Sequence, residues 1–188
     1  MSSGSLTIHR YLPTSLSNGP GLRAVIWVQG CSLACPGCFN PDTHSKTLGS
    51  TINVDTLVKQ ILAHSNQIEG LTISGGEPLQ QAHPLSKLLK QIRRLSSLSV
   101  LLFTGYTWKQ IPNVPAGADV LQHCDVVLAG RYNQSLRVAS GLLGSSNKTC
   151  HFLTSRYSLV DLEAVPQAEV IIEPGGDILL SGINPVIW

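Results

Sequence analysis

Three cysteines fall within eight positions of the stretch GCSLACPGCFNPDTH, at Cys31, Cys35 and Cys38. They follow directly on AVIWV, residues 24–28, a β-branched apolar run that reads as a buried strand. A loop so dense in thiols must leave the sheet at a strand end and keep its side chains turned to one place. The spacing C-x3-C-x2-C points to a metal site, yet a closed site ordinarily takes four ligands. Three arrangements satisfy it. Zinc could recruit His44 as fourth ligand. A fully ligated iron–sulfur cluster could use Cys124 or Cys150, both remote in sequence. A 4Fe-4S cluster could keep one iron free of protein, an open position of the kind that lets a metal bind a cofactor or substrate.

Composition narrows the setting. Five cysteines are an odd number and three are clustered, so a disulfide framework is a poor reading. Apolar residues make up 43% of the 188 positions and charged residues 13%, a globular chain of single-domain length. The formal charge of +2 forms no basic stripe, which argues against nucleic acid as a partner. The opening MSSGSLTIHR has no apolar leader core and no run has membrane-spanning length, so no membrane partner and a cytoplasmic location with reduced thiols are expected.

Helical and strand patterns alternate along the chain. Leu57, Val58, Ile61 and Leu62 predict a helix over 55–64. A short strand follows at Gly70–Ser74. Leu85, Leu88, Leu89, Ile92 and Leu95 mark one apolar helix face, with Lys87, Lys90, Arg93 and Arg94 around the rest. Strands are expected at Ser99–Phe103 and Asp125–Leu128, with a weak helix over 116–123 between them. Ser158 with Asp161 reads as a helix cap, and AEVIIEPGGDILLSG as a hairpin turning at Pro-Gly-Gly-Asp. Such an order implies βαβ units and a mainly parallel sheet. The strands are too few for a closed eight-stranded barrel, so an open one is expected.

A second unusual loop, Ser74-Gly75-Gly76-Glu77-Pro78, leaves the next strand at the same sheet end, where α/β folds bind ligands. Its glycines let backbone approach a ligand closely. Its carbonyls and Glu77 suit an amino group, and its N–H groups a carboxylate, as an amino-acid moiety would need.

C-x3-C-x2-C followed by GGEP resembles the signature of radical S-adenosylmethionine (SAM) enzymes. NGPGLRAVIWVQGCSLACPGCFN, ISGGEPL, FTGY and GSSN resemble the glycyl radical activase branch, of the anaerobic ribonucleotide reductase activating type. The resemblance implies a partial, open βα barrel of radical SAM type, and the predicted C-terminal β-hairpin carries the chain beyond the length of the compact members of that branch. Length and the lack of a linker predict one domain over the whole chain, 1–188, with the resemblance covering a core over about 9–153 and an extension following over 154–188. The resemblance further implies a 4Fe-4S cluster on Cys31, Cys35 and Cys38, the fourth iron chelated by SAM. Cofactor contacts carry over to Gly37, Cys38, Phe39, Gly76, Glu77 and Thr104. The implied reaction is reductive cleavage of SAM to a 5′-deoxyadenosyl radical, which takes hydrogen from a glycine of a partner glycyl radical enzyme. An electron donor such as flavodoxin or ferredoxin is implied as well. Where the branch carries an acidic residue before glycine, this chain has Ala129-Gly130-Arg131.

Plainer readings stand beside these. A small-molecule or peptide substrate would suit the same chemistry, and a non-catalytic metal-binding module would suit the cysteines alone. Cys124 and Cys150 read as packed thiols. His44 reads as a solvated loop residue, and His9, His64, His83 and His123 receive no role. The stretch Gly144–Asn147 is either a plain turn or part of the active face.

Overall fold

The computed structural model describes residues 4–138, 142–172 and 175–183. Strand β1 (Ser5–Ser15) leads into β2 (Arg23–Val28), the cysteine loop, β3 (Ser50–Asn53) and helix α1 (Val54–Leu62). Then come β4 (Gly70–Gly75), α2 (Ala82–Leu95), β5 (Ser99–Thr104), α3 (Gly117–Leu121) and β6 (Val126–Ala129). The remainder is β7 (Thr149–Phe152), α4 (Leu159–Glu163), β8 (Ala168–Ile172) and β9 (Ile178–Gly182).

Seven strands form one sheet in the order β3-β1-β2-β4-β5-β6-β7, and β8 and β9 form a separate pair. The centre, β2-β4-β5-β6, is parallel. Both flanks are antiparallel. The chain therefore has the expected α/β fold, with an open sheet whose ends do not meet. The C-terminal hairpin is also present, and its expected turn residue Pro174 lies outside the described residues.

Alternation along the central strands builds two cores. Ala24, Ile26, Leu71, Ile73, Val100, Leu102 and Val127 face the helices and pack against Leu57, Ile61, Leu85, Leu89 and Val120. On the other face Leu101, Val126 and Leu128 meet Leu142, Tyr157 and Leu162 in a smaller core. The amphipathic pattern of α2 thus buries Leu85, Leu88, Leu89 and Ile92 and leaves Arg93 and Arg94 at its C-terminal end, where cations oppose the helix dipole. Asn53 caps α1 by accepting from Asp55 N–H at 2.9 Å, a contact worth about 1 kcal/mol.

Arg23 opens β2 fully buried on the second face. Its guanidinium donates to Thr72 Oγ1 and Ser99 Oγ at 2.9 Å and to the Leu71 carbonyl at 3.0 Å. Burial lowers its pKa, and Tyr157 and Glu69 oppose that shift. Tyr157 links the two, bonding to Arg23 and donating to the Glu69 carboxylate. Among the described residues the buried charge is therefore balanced through a hydroxyl, without a direct ion pair.

The parallel register brings the strand ends level. Val28 pairs with Gly75 and Thr104 with Ala129. The loops that follow open side by side on one rim.

Candidate functional site

At that rim lies a cavity of about 370 Å³, within the usual range for ligand sites. Cys31, Cys35 and Cys38 line it together with Phe39, Gly76, Glu77 and Thr104. Of the residues expected at a cofactor, Gly37 alone is outside the wall. It turns the loop instead, at φ +67°, with Gln134 lying where a Cβ would stand.

The cysteine loop is held by main-chain bonds to its own far end. Gly30 N–H donates to the Thr43 carbonyl at 2.8 Å and Cys31 N–H to the His44 carbonyl at 3.1 Å. Cys38 N–H returns to the Cys35 carbonyl at 3.2 Å. Asn40 N–H points at Cys38 Sγ, 3.5 Å away. Burial raises the pKa of Cys31, and N–H groups of Leu33 and Ala34 directed at its sulfur work the other way. Burial also raises that of Cys38. Donors aimed at sulfur are the means by which protein stabilises bound thiolate and sets cluster potential.

Among the described residues no three His, Cys, Asp or Glu side chains gather around one point as a single ion requires. The three thiols, all free, instead face one cavity from separate parts of the loop. Three thiols on one cavity suit a cluster, in which each thiolate takes its own iron. The donor set thus fits an iron–sulfur group.

Gly75 and Gly76 answer to the protein itself. A Cβ on Gly75 would meet Val28 main-chain atoms at 2.5 Å, and one on Gly76 would meet the Gly30 carbonyl oxygen at 2.4 Å. Gly76 N–H bonds to the Val28 carbonyl at 2.9 Å and Glu77 N–H to that of Gly30 at 3.0 Å. The glycines let β4 end against the root of the cysteine loop. Glu77 is 1% exposed. Its carboxylate accepts from Leu79 N–H at 2.9 Å, Thr104 Oγ1 at 2.7 Å and Gly105 N–H at 2.7 Å. It thereby joins the ends of β4 and β5, two of the expected site residues holding each other. Burial raises its pKa against those three hydrogen bonds.

Other wall residues had weaker sequence signals or none. Gly144, at the start of the GSSN stretch, lines the cavity with Phe39 Cε2 at 3.0 Å from where a Cβ would be, so that end of the stretch reaches the wall. Lys148 follows it and brings a cation to the wall. Burial lowers its pKa, while Cys35, Glu77 and Cys38 pull it back up. Its place one residue past GSSN was the available signal. Tyr132 lines the wall with its ring 4.6 Å from that of Phe39. His44 is not a solvated loop residue. It lines the cavity, and its Nε2 is buried without a hydrogen-bond partner, an orphaned polar atom beside the cysteine loop. Cys124 is buried in the helical core, its S–H toward the Val120 carbonyl, and burial pushes its pKa up to about 12. Cys150 belongs with the smaller core, and neither thiol lines the cavity.

A family described as the 4Fe-4S single cluster domain matches residues 17–151, which include the cysteine loop, the Gly-Gly-Glu-Pro turn and the parallel strands β2, β4, β5 and β6. The chain belongs to that family. It is 33% identical over 144 residues to the anaerobic ribonucleoside-triphosphate reductase-activating protein of Enterobacteria phage T4, covering 74% of this chain and 89% of that one. It is 30% identical to the protein of the same name from Escherichia coli K12, covering 79% of this chain and 99% of the relative. The pyruvate formate-lyase-activating enzyme of Clostridium pasteurianum is 32% identical over 125 residues, 64% of this chain and 50% of that one. The family's cofactor is a single 4Fe-4S cluster, and the activating relatives place the chain among radical SAM enzymes. No helix among the described residues is long and apolar enough to cross a membrane.

Proposed function

We propose that this chain is a glycyl radical activase: a radical SAM oxidoreductase whose hydrogen donor is a glycine of a partner enzyme, of the anaerobic ribonucleotide reductase type. The observation that carries this is the convergence of three thiols, the Gly-Gly turn, Phe39, Thr104 and Lys148 on one cavity at the aligned ends of β2, β4, β5 and β6. Cys31, Cys35 and Cys38 would hold three irons and leave the fourth for the cofactor. When bound, the cluster supplies one electron to SAM, which splits to methionine and a 5′-deoxyadenosyl radical able to take hydrogen from carbon.

The chain's own groups then bind, orient and exclude water. The Gly75-Gly76 turn and Glu77 fix the rim beside the cysteines. Lys148 brings positive charge to a wall that also carries the three cysteines, the buried Glu77 carboxylate, Asp42 and Arg10, and it suits a carboxylate on the cofactor. Phe39 and Tyr132 offer ring surface, and Thr104 borders the same space. The setting is cytoplasmic, where thiols stay reduced, and the electron comes from a small donor such as flavodoxin or ferredoxin.

The test is anaerobic reconstitution with iron and sulfide, addition of SAM and dithionite, and quantification of 5′-deoxyadenosine. Production in the wild type, abolished by Cys31→Ala, Cys35→Ala or Cys38→Ala, is the expected result. Undiminished production in any single variant would remove that cysteine from the ligand set. A loaded cluster that never cleaves SAM, with or without a glycyl radical enzyme, would reject the function.

A further inference from the structure

The C-terminal hairpin lies beyond the family match, which ends at residue 151. Its two strands pair only with each other, so each keeps one edge without a strand partner among the described residues. It is nevertheless fastened in place. The Glu169 carboxylate accepts from the Ser15 hydroxyl, from Leu16 N–H at 2.9 Å and from the Ser17 hydroxyl at 2.9 Å. From the other strand, Ser181 Oγ accepts from Asn18 Nδ2 at 2.7 Å.

Leu179, Leu180, Ser181, Gly182 and Ile183 all line the cavity that holds the cysteines, and no residue of β8 does. Successive side chains of a strand point to opposite faces, so a strand seen face-on contributes every second residue. Four in a row from β9, with Ile183 just beyond it, mean that β9 turns its edge to the cavity. The ladder fixes which main-chain groups that edge offers. Ile183 N–H donates to the Gln167 carbonyl at 2.9 Å, continuing the antiparallel pairing of Gly182 with Ala168. Inward-facing groups recur every second residue in such a ladder. Ser181 and Leu179 therefore turn their N–H and C=O toward β8, and Leu180 turns both away, toward the cavity.

We propose that the free edge of β9 is a docking rail for the hydrogen donor, which enters as an extended polypeptide segment and adds a third strand to the hairpin inside the cavity. The inference rests on reading the cavity as the seat of radical chemistry. A strand edge recognises main chain whatever the side chains are, which suits a polypeptide donor and gives a small molecule nothing to match. It also explains a preference for glycine. In an added strand the side-chain direction is perpendicular to the ladder, and only glycine carries a Cα hydrogen there.

The test uses the full chain, reconstituted with iron and sulfide, and a blocked nonapeptide probe, Lys-Thr-Val-Ser-Gly-Thr-Val-Ser-Lys. Two further versions carry N-methyl groups on alternate residues, one for each frame. The expected result is slowed hydrogen exchange at the Leu180 amide with the parent peptide, and binding weakened about tenfold in one frame only, as loss of edge hydrogen bonds requires. Leu180→Pro removes the outward N–H and should weaken the parent peptide as much, with the Ser181 amide still protected as the sign that the hairpin stands. The methylated peptides need no variant, so the test survives if that substitution unfolds the hairpin. Equal binding in both frames, or no change at Leu180 with millimolar peptide, overturns the proposal. Peptide binding is read without SAM. A protein that cleaves SAM but ignores the peptide therefore rejects the rail alone, and one that binds the peptide but never cleaves SAM rejects the activase reading alone.

Discussion

An alanine at position 76 would place its Cβ 2.4 Å from the Gly30 carbonyl oxygen and 3.0 Å from that of Thr43. Both are main-chain atoms of the cysteine loop, so no side chain can swing aside to make room. The strain has to be relieved by moving the loop, and Cys31 moves with it. Gly76→Ala is therefore expected to destabilise the metal-free protein by about 1–3 kcal/mol, in the range for overpacking, and to lower the iron bound per chain. Chemical unfolding of the apo protein checks the first and iron analysis the second. If the apo variant unfolds as the wild type does, close packing is not what requires glycine there. The sequence made the Gly-Gly pair conspicuous, but its reason, contact with the loop of another strand, appears only when β2 and β4 lie in register.

Asp125, just before β6, ties several elements to one carboxylate. It accepts from Arg93 of α2 at 2.6 Å, from Val100 N–H of β5 at 2.7 Å and from Thr154 Oγ1 at 2.8 Å. Burial works against its charged form, but these hydrogen bonds outweigh it and hold its pKa below the ordinary carboxylate value of 3.8. A carboxylate depressed on folding contributes stability that is fully present above its unfolded value and is lost as pH falls through its folded one. Asp125→Asn should thus cost about 2 kcal/mol at neutral pH and flatten the fall in stability below about pH 4. Urea titrations of both proteins from neutral to acid pH measure this, and parallel acid limbs would place the source elsewhere. Elements with their own periodicity were legible in advance. The face of α2, the buried run of β2 and the two runs of the hairpin each declare their type within a few residues. Strands β1, β3 and β7 were not. The first mixes His9, Arg10 and Pro13 into its alternation, and the other two are four-residue flanks defined by the strands they pair with.

For the molecule as a whole, the site stands apart from what folds it. Both cores lie along the sheet faces, and neither contains Cys31, Cys35 or Cys38. The site was legible where one loop carries it, as with the cysteines and the Gly-Gly-Glu-Pro turn. It was not legible where distant segments close it, as with Lys148, Tyr132 and Ser181, because no local pattern marks a residue whose neighbours come from another strand. This division has a thermodynamic consequence. A chain whose cores are complete without the cluster should fold without it, and the cluster should then add stability by binding the folded form alone. Replacing all three cysteines by alanine is expected to leave the apo melting temperature unchanged. The same replacement should erase the upward shift that reconstitution with iron and sulfide gives the wild type. Melting curves of the four preparations under anaerobic conditions decide it. If the triple variant unfolds early even without metal, the thiols are part of the fold. If reconstitution still raises its melting temperature, iron is being held by residues outside the loop.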